Sequence, residues 1–274
     1  MCRLLGYAAA LPMTFDRALG ATELAEFVDL ARVHCDGWGR ASVANPGLEP
    51  DVVTSQLSAQ LDPNFLAHNS SAPGRAGMLH LRWATDGLAV QPENTHPFLA
   101  DGIAFAHNGS VDRHALEGLL EPELLAGVAG TTDSELYFAL VRQYRRRSAD
   151  LADAVFSAVR RIRAAAPIQS LNALVIDGRQ LVAVHASSNS TLSAEDQELC
   201  RTMDLPAEHH SAYFRMRMRR TDHAVHIGST GFGRSGWDPL PLDCVLAVDL
   251  VDLTVVTRSL PGSDGEATRG RGAA

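Results

Sequence analysis

The chain of 274 residues has no apolar run near the roughly 18 residues that span a bilayer, and no charged segment followed by an apolar core at its start. The first absence argues against a helical membrane protein and the second against a secretory leader. The expected setting is the cytoplasm, with the N-terminus at the start of the fold. Cysteine is sparse: Cys2, Cys35, Cys200 and Cys244 make no Cys-x-x-Cys pair and no small-scaffold spacing. They read as free thiols in a reducing compartment. Positive charge is not in excess, since the formal net charge is -8. Binding of nucleic acid or of anionic membrane works through excess positive charge and is not expected. Metal-ligand spacing is also lacking. His223 and His226 would share a helix face, but in a strand from Ala224 to Gly228 they point to opposite faces, so neither metal nor cofactor is expected. What remains is ordinary globular material, 46% hydrophobic and 20% charged, able to bury a sizeable core. One domain is expected over 1–260, followed at 261–274 by a Gly/Ala/Arg-rich tail without apolar periodicity, which reads as disordered.

The local patterns give a mixed series of strands and helices. Cys2 to Ala10 reads as a buried strand closed by Leu11-Pro12, which sets Cys2 at the end of a rigid element. Thr22 can cap a helix from Glu23 to Val33. His34-Cys35-Asp36-Gly37-Trp38-Gly39 reads as a turn into a strand from Arg40 to Val43, with glycines that suggest close backbone approach. Residues 45–75 are expected to be loop-rich, with one short helix near Ser55 to Leu61. Met78 to Arg82 and Ile103 to Ala106 read as strands; the His107-Asn108-Gly109 that follows is, by itself, a turn signal. A helix is expected from Thr132 or Asp133 to about Arg146, its final arginines a solvated helix end. A second runs from Asp150 to Ala165 and is stopped by Pro167. Leu171 to Ile176 and Leu181 to His185 read as a hairpin. Residues 190–212 read as polar and irregular. Phe214 to Arg219 alternates apolar and basic residues, so a strand there would put three arginines on one face, solvated or turned to an acidic substrate. Val245 to Leu250 and Leu253 to Arg258 make a last strand pair.

The candidate chemistry begins at Cys2. If Met1 is removed, one residue carries both a thiol and a free α-amine. An α-amine titrates at roughly 7.7 to 8.0, so near neutrality it can accept a proton while the thiol attacks a carbonyl. With Met1 retained, that nitrogen is an amide and not a base.

Met1-Cys2-Arg3-Leu4-Leu5-Gly6-Tyr7, Asp36-Gly37-Trp38-Gly39, His80-Leu81-Arg82-Trp83-Ala84-Thr85, Glu93-Asn94-Thr95-His96-Pro97-Phe98, His107-Asn108-Gly109 and Thr132-Asp133-Ser134-Glu135 occur in this order. Together they resemble the class II glutamine amidotransferases, a group of N-terminal-nucleophile hydrolases. The resemblance extends over roughly residues 2–260, with the specific motifs before residue 136. Within that group the chain looks like the short, stand-alone branch that includes the γ-glutamyl hydrolase of ergothioneine biosynthesis. Asp86 stands where many larger members carry a histidine, and residues 136–260 are expected to complete the fold and not to form a synthase domain.

The resemblance implies an α+β fold, a four-layer αββα sandwich of two mainly antiparallel sheets. It assigns Cys2 as nucleophile and base, and Asn108 with the Gly109 N–H as the oxyanion hole. Arg82 would hold the α-carboxylate of a γ-glutamyl group and Asp133 its α-ammonium, while Trp83, Thr85 and His107 would contact the substrate. The residue types suit those tasks: a guanidinium fork matches a carboxylate, and an amide with a backbone N–H matches an anionic oxygen. The implied activity is hydrolysis of a small γ-glutamyl amide through a Cys2 thioester. A glutaminase subunit passing ammonia to a separately encoded synthetase, or a silent binding module, are the alternatives. A homodimer is the other partnership the resemblance allows.

Overall fold

The computed structural model describes residues 1–261 except 86, 167, 189 and 234, and only the backbone of Ile168 and Gln169. Asp86, Pro167 and, beyond Pro261, the expected tail therefore lie outside the described residues. The strands are β1 (Cys2–Met13), β2 (Trp38–Val43), β3 (Asp51–Ser55), β4 (Gly74–Arg82), β5 (Phe98–Ala100), β6 (Ile103–Val111), β7 (Ile168–Ile176), β8 (Gln180–His185), β9 (Met216–Arg220), β10 (Ala224–Ser229), β11 (Asp238–Pro239), β12 (Cys244–Asp249) and β13 (Val255–Ser259). The helices are α1 (Phe15–Leu19), α2 (Ala21–Asp29), α3 (Asn64–Ser70), α4 (Arg113–Glu117), α5 (Pro122–Ala126), α6 (Asp133–Arg145), α7 (Leu151–Ala165), α8 (Ala194–Thr202) and α9 (Ala207–Ser211). They build a seven-stranded sheet ordered β11-β9-β10-β1-β4-β2-β3 and a six-stranded sheet ordered β13-β12-β8-β7-β6-β5. Every strand pairing is antiparallel.

The continuous apolar run of β1 has a structural cause: both of its faces are buried. Leu4 and Ala8 point between the sheets, against Met78, Ala106, Leu174 and Leu246. Leu5, Tyr7 and Ala9 point the other way, into a cluster with Phe15, Leu24, Phe27 and Phe65 from the helices on that side. The far side of the second sheet is covered by α6 and α7, whose Leu136, Leu140, Val155 and Ile162 pack on Phe105, Leu171 and Val182. The layers are thus helix, sheet, sheet, helix. Small residues such as Ala41, Ala76, Ala104 and Ala183 fill much of the space between the sheets. Cys2 shares a strand face with Leu4, so its thiol lies at the rim of that interlayer core.

Several expectations are corrected. Ser55 ends β3, paired with Trp38, and the helix comes later, as α3. It starts beside Asp62, whose carboxylate accepts from Asn64 N at 2.9 Å and from Trp38 Nε1 at 3.0 Å. Residues 190–212 are not irregular, because they contain α8 and α9. Cys200 is the one buried residue of α8, so its sequence shows no apolar face. His107-Asn108-Gly109 is no turn: it lies inside β6, opposite Ala173, Asn172 and Leu171 of β7. Arg217 and Arg219 are neither solvated nor free for substrate. They pair with Glu208 at 3.6 Å and Glu23 at 2.8 Å and lie over the Trp237 ring. Arg215 precedes the strand. His226 is held by Ala18 O at 2.7 Å, and among the described residues no group of metal-ligating side chains occurs. All four cysteines are free. No described helix is long and apolar enough to cross a membrane.

Candidate active site

Pairing of β1 with β4 brings the first two chemical groups together. Cys2 lies directly opposite Arg82, and residues opposite each other in an antiparallel pair share a face. Both side chains are buried, at 7% and 3% exposure. The Arg82 guanidinium donates to the Asp36 carbonyl at 3.4 Å and to the Ala89 carbonyl at 3.2 Å. No carboxylate among the described residues lies within ion-pair distance of it. Asp36 also braces the segment after β4, its carboxylate accepting from Ala84 N at 2.8 Å. The Asp36-Gly37-Trp38-Gly39 motif therefore works at one remove. Trp38 is buried in the outer cluster against Phe65, and its neighbours position Arg82 and Trp83.

β6 supplies the opposite side. Asn108 Oδ1 accepts from Cys2 N at 2.8 Å, which orients the amide so that its NH2 group remains for a ligand; no described residue accepts from it. A Cβ at Gly109 would lie 1.9 Å from the Ser170 carbonyl. Only glycine allows that approach of β7 to β6. The strand alternation corrects the expectation for His107. Its side chain points to the outer face of the sheet, where Nδ1 meets Ser134 Oγ at 2.9 Å and Nε2 donates to Ser170 O at 3.0 Å. It braces β6, β7 and the start of α6 and does not line the cleft.

Asp133 is the first residue of α6, after the N-cap Thr132, whose hydroxyl accepts from Glu135 N. Its Oδ2 accepts from Val111 N at 2.6 Å. Buried Asn94 ties this helix start to Arg82: its Nδ2 donates to Ala89 O and to Thr131 Oγ1, both at 3.1 Å, and its Oδ1 accepts from Thr131 N at 2.9 Å. Arg82 and Asn94 thus share the Ala89 carbonyl. Asn94 was present in the motif set without an assigned task; the fully buried amide between two motifs is the feature that reveals it.

The open part of the site is a cleft of 260 Å³ with Met1, Trp83, Ala84, Thr85, Gly109 and Ser110 on its walls and Thr191, Ser193, Asp196 and Phe214 facing them. The Met1 amine donates to the Trp83 carbonyl. Trp83 and Thr85 line the cleft, whereas Cys2, Arg82 and Asn108 are buried beside it. Local sequence pattern had left three anchors around Cys2 unmarked. Tyr213 Oη donates to the Cys2 carbonyl at 3.2 Å, Arg3 stacks 3.5 Å over the Tyr213 ring, and Leu4 N donates to Ser229 Oγ at 3.1 Å.

Electrostatics favour the reactive form of the thiol. Burial pushes the Cys2 thiol up, but the charges of His80 and of the N-terminal ammonium outweigh it, bringing the thiol from 9.0 down to about 6. His96 is held well below its ordinary range, first by burial and then by the neighbouring charges of His80, His107 and Arg82. Burial likewise lowers His107, opposed by Asp133.

Two antiparallel sheets between helical layers, with a cysteine at the head of a central strand and an amide and a guanidinium beside it, define the N-terminal-nucleophile type of hydrolase fold. The chain belongs to the class-II glutamine amidotransferases, whose family profile matches residues 1–230. Glutamine–fructose-6-phosphate aminotransferase of Gluconobacter oxydans is 29% identical over 167 residues, 60% of this chain and 25% of that protein. Its counterpart in Idiomarina loihiensis is 39% identical over 95 residues, 34% of this chain and 15% of that protein. The chain therefore spans about a quarter or less of the curated relatives it matches. A glutamine aminotransferase class-II domain protein from Silicibacter pomeroyi has the same fold, with a TM-score of 0.63 at 19% identity, covering 95% of this chain and 100% of that one. Glutamine phosphoribosylpyrophosphate amidotransferase from B. subtilis superposes with a TM-score of 0.57 at 13% identity, over 95% of this chain and 49% of that one.

Proposed function

We propose that this chain hydrolyses the amide of a γ-glutamyl group, by nucleophilic attack of Cys2 after removal of Met1. The observation that carries the reading is Arg82: a buried guanidinium, directly opposite the nucleophile, with no carboxylate among the described residues to pair it. A buried cation is costly unless an anion meets it, and the α-carboxylate of a γ-glutamyl group is such an anion. Asp133, tied to Arg82 through Asn94, takes the α-ammonium. These two contacts would hold the γ-carbonyl carbon at Sγ.

In this mechanism the thiolate adds to the γ-carbonyl, and the oxygen anion is met by the Asn108 NH2 and the Gly109 N–H. The C–N bond breaks as the leaving nitrogen takes a proton from the Cys2 α-ammonium, giving a thioester and a free amine. Water then adds to the thioester, with the α-amine accepting its proton, and glutamate leaves as the thiolate reforms. The Cys2 backbone N–H, still acylated by Met1, donates to Asn108 Oδ1 at 2.8 Å, which supports an α-nitrogen that lies beside the oxyanion amide once Met1 is removed.

The leaving amine would meet Thr191, Ser193 and Asp196. A polar wall with a carboxylate suits a substituted or cationic amine, which supports a stand-alone hydrolase of γ-glutamyl metabolites. Delivery of ammonia to a separately encoded partner is the second reading, favoured by the kinship with domains of larger synthases. The deciding experiment incubates the purified protein with glutamine and a panel of γ-glutamyl amines under mass spectrometric readout. Release of glutamate from none of them would overturn the proposal.

A further inference from the structure

Cys2 and Arg82 share the inner face of the first sheet, and two residues back on β4 that face carries His80, opposite Leu4. His80 is fully buried, and neither of its ring nitrogens makes a hydrogen bond. On its other side the partner in β2 is Gly39, where a Cβ would lie 2.1 Å from the His96 carbonyl. That missing side chain lets His96 reach His80, ring centroids 4.5 Å apart. The His96 nitrogens are buried and unpartnered as well. Buried polar groups are almost always satisfied, and an exception calls for a reason. Bare packing does not explain a histidine whose neighbours on one face are a reactive thiol and a second histidine.

We propose that His80 is the ionic partner of Cys2, a positioning residue that keeps the nucleophile as a thiolate in the resting protein. The thiol proton is carried on a ring nitrogen of His80, so the S–H bond is exchanged for an N–H bond and the pair remains neutral overall. The titratable groups around His80 are Cys2 and the N-terminal amine from β1, Arg82 from its own strand and His96 from the segment before β5, with His107 on the far face of β6. His96 is pushed toward the neutral form by burial and by the charges around it, and His80 lies between it and the thiol on the same inner face. The α-amine then keeps its separate task of moving the proton to the leaving nitrogen. The inference rests on Cys2 being the nucleophile proposed above, though not on which amide is cleaved.

The test reads the thiol and not the hydrolysis. Full-length protein, with Met1 removal checked by intact mass, is alkylated with iodoacetamide across a pH series and Cys2 modification is followed by mass spectrometry. The native protein should reach half its limiting rate well below the ordinary thiol value near 9. In His80→Gln the midpoint should rise by at least about one unit, a loss of about tenfold in alkylation rate at mildly acidic pH that vanishes in alkaline solution. An unchanged profile in folded His80→Gln would overturn the inference while leaving the amidase reading intact. If His80→Gln does not fold, imidazole 15N shifts decide: His80 should be cationic at neutral pH beside Cys2 and neutral in Cys2→Ala. The same His80 shifts in both proteins would equally defeat the pairing.

Discussion

In the proposed reaction Cys2 is both nucleophile and base, and the groups around it can be tested one at a time. Cys2→Ala should abolish turnover while leaving the fold and substrate binding nearly intact, because the side chain removed is small and sits at the end of a strand. Isothermal titration with substrate and circular dichroism check both halves. Asn108→Ala should lower kcat by about 10²- to 10³-fold, the usual cost of one oxyanion donor, with KM little changed. Equal loss in both parameters would make Asn108 a substrate anchor instead. The pH profile has a definite sign. The thiol is lowered in the folded protein to about 6, so its thiolate is present above that value and is lost as pH falls through it. kcat/KM should therefore have an acid limb near there, and a limb that stays at the ordinary thiol value near 9 would contradict the charge balance around Cys2.

Elements of the fold hold these groups by close backbone contact more than by side-chain bulk. The β6–β7 pairing leaves no room at Gly109, where a Cβ would stand 1.9 Å from Ser170 O. Gly109→Ala must push the strands apart and should lower stability by about 1 to 3 kcal/mol, the range for overpacking a filled interior. A thermal melt reads it, and an unchanged Tm would show that β7 yields easily. The start of α6 has its own constraint. Asn94 links Ala89 and Thr131 through three hydrogen bonds, and Asn94→Ala leaves the Thr131 N–H without its acceptor, costing about 1 to 3 kcal/mol. Since that network lies between Arg82 and Asp133, the variant should show a raised KM with a smaller change in kcat. Steady-state kinetics on the folded variant test the split.

Specificity belongs to the whole molecule, because the proposed site would read the two ends of its substrate with different layers. In the proposed reading the glutamyl end would meet Arg82 on one sheet and Asp133 at the start of a helix behind the other, so it should be strict. An N-acylated γ-glutamyl compound or an α-linked glutamyl peptide should fail, since one charge would lose its partner at a cost of about 3 to 5 kcal/mol. The amine end would meet the 191–214 excursion, which is built from α8, α9 and the turns around them. Bulky or cationic γ-glutamyl amines should be cleaved with higher kcat/KM than glutamine. Preference for glutamine, together with activation by an added synthetase, would favour the ammonia-donating subunit.

The motif residues and the strands β1 and β4 were legible in the amino-acid order, because the motifs carry their own residue types and the apolar runs are local. The long helices α6 and α7 were equally plain from their apolar spacing. Other features depended on partners distant in the chain. Asn108-Gly109 carries a strong turn signal, yet it is strand because β7 pairs with it from some sixty residues away. His107 belongs to the same motif as Asn108, but the pleat sends its ring to Ser134 and Ser170 on the opposite face. The Cys2–Arg82 register, the Asn94 bridge and the burial of His80 beside the thiol are likewise properties of sheet pairing and layer stacking. The sequence by itself determined which chemical groups this protein could use; only the tertiary structure decided which of them meet, because register and burial are set by long-range contacts that no short segment contains.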